Sequence, residues 1–208
     1  MGNLTVGIVG SGIMGSGIAE VAGKAGHSVI LRSRKQESAD AMVAGLEKSL
    51  NKQVERGRLE EGVRDEVLGR VSATSDLADL ADCDLVIESI VEDLDTKLGL
   101  FKELDGIVKA DGILATNTST LPVVEMAVAT ERADKVVGIH FFNPVAQMPL
   151  VEVVRAERTS DEALATAFAV TKKLRKTAVL VKDRPGFVVN RLLVLVMGKV
   201  VEAIENGT

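Results

Sequence analysis

The sequence predicts an α/β protein, a mostly parallel sheet with helices on both faces, and three observations predict it. Short runs rich in Val, Ile and Leu recur along the chain, each cut off by glycine or polar residues, as buried parallel strands are. Stretches of helical period separate them, giving a regular alternation of strand and helix. The first apolar run opens directly into a glycine-rich turn, VGIVGSGIMGSGIA over residues 6–19.

Val6, Ile8 and Val9 make the first strand, and Gly10, Gly12 and Gly15 then spell G-x-G-x-x-G. Without a Cβ, Gly10 can turn out of the strand, Gly12 lets a diphosphate approach the main chain, and Gly15 lets the next helix lie against the sheet. A strand before the turn and the helical Ile18-Ala19-Glu20-Val21-Ala22 after it supply the context this pattern requires. Gly10-Ser11-Gly12-Ile13-Met14-Gly15 is therefore read as the phosphate cradle of a Rossmann-type domain, with free amides and the positive helix end facing the anion. A tight turn in some other α/β protein is the alternative.

The second strand, 28–31, leads into Arg32-Ser33-Arg34, where such folds place the group that reads the ribose. An acid there suits NAD, because it accepts from the ribose hydroxyls and repels a 2′-phosphate. Serine between two guanidiniums removes that repulsion and adds charged donors, which favours NADP; two solvated arginines beside an NAD site that tolerates Ser33 are the other reading. Residues 36–56 form a long helix with apolar positions at Ala39, Met42, Val43, Leu46, Leu50 and Val54. A second helix over 61–68 precedes a strand at 71–74. The fourth strand, 85–87, ends at Glu88-Ser89. A helix over 95–110 leads to a strand at 113–115 ending in Thr116-Asn117-Thr118-Ser119-Thr120. Pro122 permits only a short helix over 123–128. Strands at 136–141 and 149–154, a helix over 161–175 and a strand at 178–181 follow. Pro185-Gly186 marks the one boundary, dividing a cofactor domain, 1–184, from 185–208. Residues 187–204 there form a helix so apolar that something must cover it.

A length of 208 residues fits one domain, or one and a fragment of a second. Net charge is −5 with no basic block, and the only aromatics are five Phe, so nucleic acid is not an expected partner. No charge-free apolar run reaches the roughly eighteen residues of a membrane span, and no export leader precedes the first strand, so a cytoplasmic protein is expected. Cys83 is alone, which suits a reducing compartment, and its flanking Asp82 and Asp84 oppose thiolate formation, so it is read as packing. Histidines and cysteines are too few for a metal site.

Open parallel sheets bind ligands beyond the carboxyl ends of their strands, where Glu88-Ser89, residues 117–120 and His140 fall. His27 lies at the opposite edge and is read as structural. His140 ends an apolar run where the chain leaves the sheet. Twelve residues on, Glu152 interrupts the apolar Leu150-Val151-Glu152-Val153-Val154. A carboxylate inside a buried strand needs a partner, and an imidazole on the adjoining strand supplies one; the pair fixes the tautomer and prepares His140 to take a proton from an alcohol. The alternative is a Glu152 pointing outward from an edge strand.

Four blocks resemble the 3-hydroxyacyl-CoA dehydrogenase family, the 3-hydroxybutyryl-CoA dehydrogenases in particular. They are VGIVGSGIMGSGIAEVAGKAGHSV, DLVIESIVEDLDTKLGLFKELD, ATNTSTLPV, and VVGIHFFNPVAQMPLVEVV followed by DRPGFVVNRLL, in the family's order and spacing over essentially the whole chain. The resemblance implies that His140 is the general base for the 3-hydroxyl and that Glu152 orients it. It implies that Ser119 and Asn190 hold the substrate oxygens. Glu92, Lys97, Ser119 and Asn143 match positions that contact the nicotinamide half of NAD. Ser49, with Lys52 or Arg56, lies where the family's long helix meets coenzyme A. For Lys97 and Arg56 a solvated helix charge is the other reading.

Two departures stand out: Ser33 replaces the family's usual aspartate, and the chain stops at Asn206-Gly207-Thr208, after the first helix of the family's helical C-terminal domain, which completes the acyl-CoA cleft and most of a dimer interface. The expectation is an oxidoreductase of 3-hydroxyacyl and 3-oxoacyl thioesters using NADP or NAD, self-associating through its last helix. The rivals are a dinucleotide-binding module without turnover and the same chemistry on an acyl carrier protein.

Overall fold

The structure is a computed structural model describing residues 2–207. Among the described residues the strands are β1 (Thr5–Val9), β2 (Ser28–Arg32), β3 (Val71–Thr74), β4 (Leu85–Glu88), β5 (Ile113–Thr116), β6 (Val136–Phe141), β7 (Leu150–Arg155) and β8 (Thr177–Lys182). The helices are α1 (Ile13–Lys24), α2 (Gln36–Glu55), α3 (Glu61–Gly69), α4 (Leu94–Ile107), α5 (Val123–Val128), α6 (Asp161–Lys173) and α7 (Val189–Glu205). They build one sheet in the order β3-β2-β1-β4-β5-β6-β7-β8. From β3 to β6 all neighbours are parallel; β7 runs antiparallel to β6, and β8 follows β7.

Alternate residues of each strand serve opposite faces, so the sheet separates two cores. Val6, Ile8, Leu85, Ile87, Ile113 and Ala115 pack with α1, α2 and α6. Val9, Val86 and Leu114 pack with α4 and α5. Burial on both faces is why the strands read as nearly continuous apolar runs. Leaving β1, the chain turns to β2 on one side and returns to β4 on the other, which opens a crevice beyond the carboxyl ends of β1 and β4.

The fold class matches the expectation, and the differences lie at element ends. α4 begins after Asp93, whose carboxylate caps the Thr96 amide at 2.9 Å, and stops at Ile107 because Val108 is extended. α6 is two residues shorter than expected because Arg175 takes φ +58. α7 starts at Val189 rather than 187 because Gly186 and Phe187 take φ +73 and +46, conformations no α-helix contains. No residue of α7 is buried, and Leu192, Leu193, Val194, Leu195, Val196 and Met197 are all exposed. Nothing among the described residues covers the helix.

Candidate active site

A cavity of about 960 Å³ opens over the crevice, running from the end of β2 past the glycine turn to His140. At its centre Gly10 takes φ +134, and a Cβ there would stand 2.2 Å from the Ser89 carbonyl oxygen. A Cβ on Gly15 would stand 2.2 Å from the Gly10 carbonyl oxygen, so this glycine lets α1 seat against the turn. Gly12 differs: a Cβ there would meet no protein atom within 4 Å. The space before it is room for a ligand's diphosphate, and the first turn of α1 carries no acid to oppose one. Ser11, Ile13 and Met14 line the same wall. The turn thus fits a dinucleotide.

Arg32, Ser33 and Arg34 line one end of the cavity. Ser33 is 6% exposed, its amide donating to the Thr74 carbonyl at 3.1 Å, so the position is built into the sheet edge. Among the described residues the buried Arg32 Nε has no partner. Burial, opposed by Glu103 and reinforced by Arg34, lowers the Arg32 pKa from its ordinary value. An anion at this end would relieve both conditions.

At the end of β4 stands a buried ionic network. Glu88, fully buried, accepts from Lys97 Nζ at 2.5 Å, the Thr116 hydroxyl at 2.7 Å and the Ile90 amide at 2.7 Å. Lys97 is 1% exposed and also lies 3.3 Å from Glu92. The solvated-charge reading of Lys97 is thereby overturned: the sheet brings Glu88 under the helix, and the pair exists because neither charge has water. Glu92 accepts from the Thr118 hydroxyl at 2.5 Å and the Ser119 amide at 2.9 Å. Desolvation alone would raise its pKa, but the Thr118 hydroxyl, the Ser119 amide and Lys97 together outweigh it and hold the carboxyl below its ordinary value.

His140 and Glu152 face each other directly in the antiparallel β6–β7 register. His140 Nδ1 lies 2.8 Å from Glu152 Oε2, and both residues are buried. The outward-pointing alternative for Glu152 is excluded by its 1% exposure. Its other oxygen, Oε1, accepts the Val188 and Val189 amides at 3.0 Å each. With Nδ1 donating to the carboxylate, Nε2 of an imidazole lining the cavity is left as an acceptor. Asn143 and Ser119 line the cavity beside it, and Asn190 Nδ2 reaches the Ser119 carbonyl at 3.5 Å.

The expected cofactor residues from Gly10 to Asn143 thus converge on one cavity, Gly15 supporting it from behind. Ser49, Lys52 and Arg56 are not part of its lining. Ser49 is half-buried on α2, donating to Glu20 at 3.2 Å, while Lys52 is exposed farther along that helix and Arg56 is exposed just past its end. His27 is fully buried and accepts the Leu4 amide on Nδ1 at 3.0 Å, a structural role. Cys83 is buried, and desolvation, with Asp84 adding to it, pushes its pKa to about 12. Nothing in the sequence alone assigns Asn117 and Thr118 individual roles. Asn117 Oδ1 accepts the Phe141 amide at 2.8 Å, tying β5 to the end of β6, and a polar run closing a buried strand was the available signal. Among the described residues no group of three or more His, Cys, Asp and Glu is placed to hold a metal, and no helix is long and apolar enough to cross a membrane.

Residues 5–184 match the family profile described as 3-hydroxyacyl-CoA dehydrogenase, NAD binding domain. The chain is 45% identical over 200 residues to a 3-hydroxybutyryl-CoA dehydrogenase of Clostridioides difficile, covering 96% of this chain and 71% of that one. It is 45% identical over 186 residues to the fatty acid oxidation complex subunit alpha of Psychrobacter arcticus, covering 89% of this chain and 26% of that protein. The crystal structure of (S)-3-hydroxybutyryl-CoA dehydrogenase from Ralstonia eutropha superposes with a TM-score of 0.96 at 37% identity, over 99% of this chain and 73% of that one.

Proposed function

The chain belongs to the 3-hydroxyacyl-CoA dehydrogenase family and carries its NAD-binding domain, and from that premise we propose how its residues interconvert a short 3-hydroxyacyl-CoA and its 3-oxoacyl-CoA. The observation that carries the reading is the buried His140–Glu152 pair at 2.8 Å, opening on the cavity that holds the glycine turn. His140 Nε2 takes the proton from the 3-hydroxyl, and Glu152 stabilises the imidazolium that forms. In the reverse direction the same nitrogen returns the proton to the 3-oxo oxygen. Ser119 and Asn190 hold that oxygen, and Glu92, Lys97 and Asn143 shape the wall against which the nicotinamide is held. When bound, the nicotinamide supplies or accepts the hydride.

NAD(H) is the family's cofactor. The finer reading is a preference for NADP(H), supported by Ser33 in place of an acid, by Arg34 exposed at the cavity edge and by the unpartnered Arg32 Nε. Ser49 and Lys52 lie at i and i+3 on α2 and so share one side of it, and Arg56 follows directly after its last residue; we assign that side and end of the helix to the coenzyme A moiety. Residues 185–208 are taken as the start of a separate helical unit, supported by the turn at Gly186 and by the exposure of α7. The apolar α7 is further taken to pair with a second copy, which sizing in solution tests. A buried lone cysteine fits a reducing, cytoplasmic setting.

The deciding assay is oxidation of NADPH and of NADH by acetoacetyl-CoA, each followed at the nicotinamide absorbance. Turnover that falls by roughly 10²–10⁴-fold in His140→Gln, with cofactor binding kept, supports the base. Cofactor binding without turnover in the wild-type chain refutes the enzymatic reading and leaves a binding module. Turnover only with the acyl carrier protein thioester reassigns the carrier.

A further inference from the structure

We infer that Phe187 is a positioning residue for the proton-transfer pair, holding the His140 ring while the two amides that follow it hold Glu152. This rests on His140 acting as the base. Gly186 and Phe187 take left-handed backbone in succession, φ +73 and +46, on the way into α7. Glycine does this freely, but a bulky aromatic does so only where its surroundings over-determine it.

The surroundings that fix Phe187 are the apolar core on that face of the sheet together with the catalytic pair. Its side chain is buried against the core beneath β6, and its ring centroid lies 5.6 Å from that of His140, tilted by 56°. Phe142 packs on the same imidazole at 4.5 Å, so two phenyl rings contact it. The turn then points the Val188 and Val189 amides at Glu152 Oε1, while Oε2 of the same carboxylate holds His140 Nδ1. One short segment therefore touches both members of the pair, by ring contact on one and by hydrogen bonds on the other. Nothing farther along the helix replaces it, because no residue of α7 is buried. Removing the ring frees the imidazole to tilt and lets the left-handed turn relax, which moves both amides off Glu152.

The test compares Phe187→Ala and Phe187→Leu with the wild-type chain. The measurements are acetoacetyl-CoA turnover with NADH, the NADH Kd by fluorescence titration, and the low-field proton resonance of His140 Nδ1, identified by its loss in His140→Asn. For Phe187→Ala we expect kcat to fall by about tenfold or more, since small misplacements of a reacting group are costly, while KM and Kd stay within about threefold. The resonance should broaden or shift. Phe187→Leu, which keeps apolar bulk, should fall between the two in rate and shift. A Phe187→Ala chain that binds NADH, turns over within about twofold of wild type and keeps the wild-type resonance overturns the inference. If Phe187→Ala fails to bind NADH, Phe187→Leu decides by the same criteria: a shifted resonance with lowered kcat supports the assignment, and wild-type values for both overturn it. A wild-type chain without turnover would refute the enzymatic reading separately, and the resonance would still report whether the ring holds the imidazole.

Discussion

Replacing Lys97 by methionine should destabilise the protein more than any surface change, and a second substitution should undo most of the damage. Lys97 and Glu88 are 1% and 0% exposed and 2.5 Å apart, so each neutralises a charge that has no water. In Lys97→Met the Glu88 carboxylate keeps the Thr116 hydroxyl and the Ile90 amide but loses its only cation among the described residues. Removing one partner of a buried pair costs about 3–5 kcal/mol, a large part of the roughly 5–15 kcal/mol that holds a domain folded. For a chain of this size each kcal/mol lowers Tm by about 2–4 °C, so a fall of about 6–20 °C is expected. The double variant Glu88→Gln/Lys97→Met leaves no fully buried unpaired charge, since Glu92, which also loses Lys97, is partly exposed and keeps the Thr118 hydroxyl and Ser119 amide; it should recover most of that loss, because replacing both partners is often nearly neutral. Urea unfolding followed by circular dichroism measures both variants. A single variant within about 1 kcal/mol of wild type, or a double variant less stable than the single, refutes the argument that unpaired burial is what costs.

The glycine turn separates folding from binding. Gly12→Ala should fold like wild type yet bind NADH at least about tenfold more weakly, because its methyl enters ligand space, whereas Gly10→Ala, at φ +134 and 2.2 Å from Ser89, should barely fold; equal stability of the two variants by urea titration contradicts this. Ser33→Asp should shift the NADPH-to-NADH ratio of kcat/KM towards NADH, and an unchanged ratio removes the phosphate-reading role of the arginines. Desolvation pushes the Glu20 carboxyl up, but Lys24, Gln53 and Ser49 outweigh it and leave its pKa below 4.5. Its stabilising contribution is therefore complete above that value and is lost as pH falls through the lower folded value, and urea titrations from pH 6 to 3 should show a gentler decline for Glu20→Gln. With its pKa pushed to about 12, Cys83 should not react with a thiol reagent at pH 8 until the chain unfolds, and labelling of the native protein on mixing contradicts its burial.

Much of this molecule is legible in local sequence because local physics governs it. Val123–Val128 and Val136–Phe141 fall where the apolar pattern and Pro122 put them, and Gly10, Gly12 and Gly15 announce a phosphate turn through their missing side chains. A glutamate inside an apolar strand signals a buried partner, and His140 proves to be that partner. The ends of α4 and α6 were less legible: they depend on the backbone of Val108 and Arg175, where a helix pattern runs on past the point at which the chain turns away.

The sequence by itself determined the order of strands and helices and the glycine turn, and it marked His140 and Glu152 as polar groups in apolar strands, because each is written in side-chain size and polarity over a few residues. Only the tertiary structure decided that Lys97 is a buried ion rather than a surface charge, that β7 reverses direction to set Glu152 beside His140, and that Phe187 bends left-handed against that pair. These depend on segments distant along the chain being brought to within a few ångströms of one another. Whether a charge has water and whether a strained turn is held are properties of the packed neighbours, which periodicity does not encode.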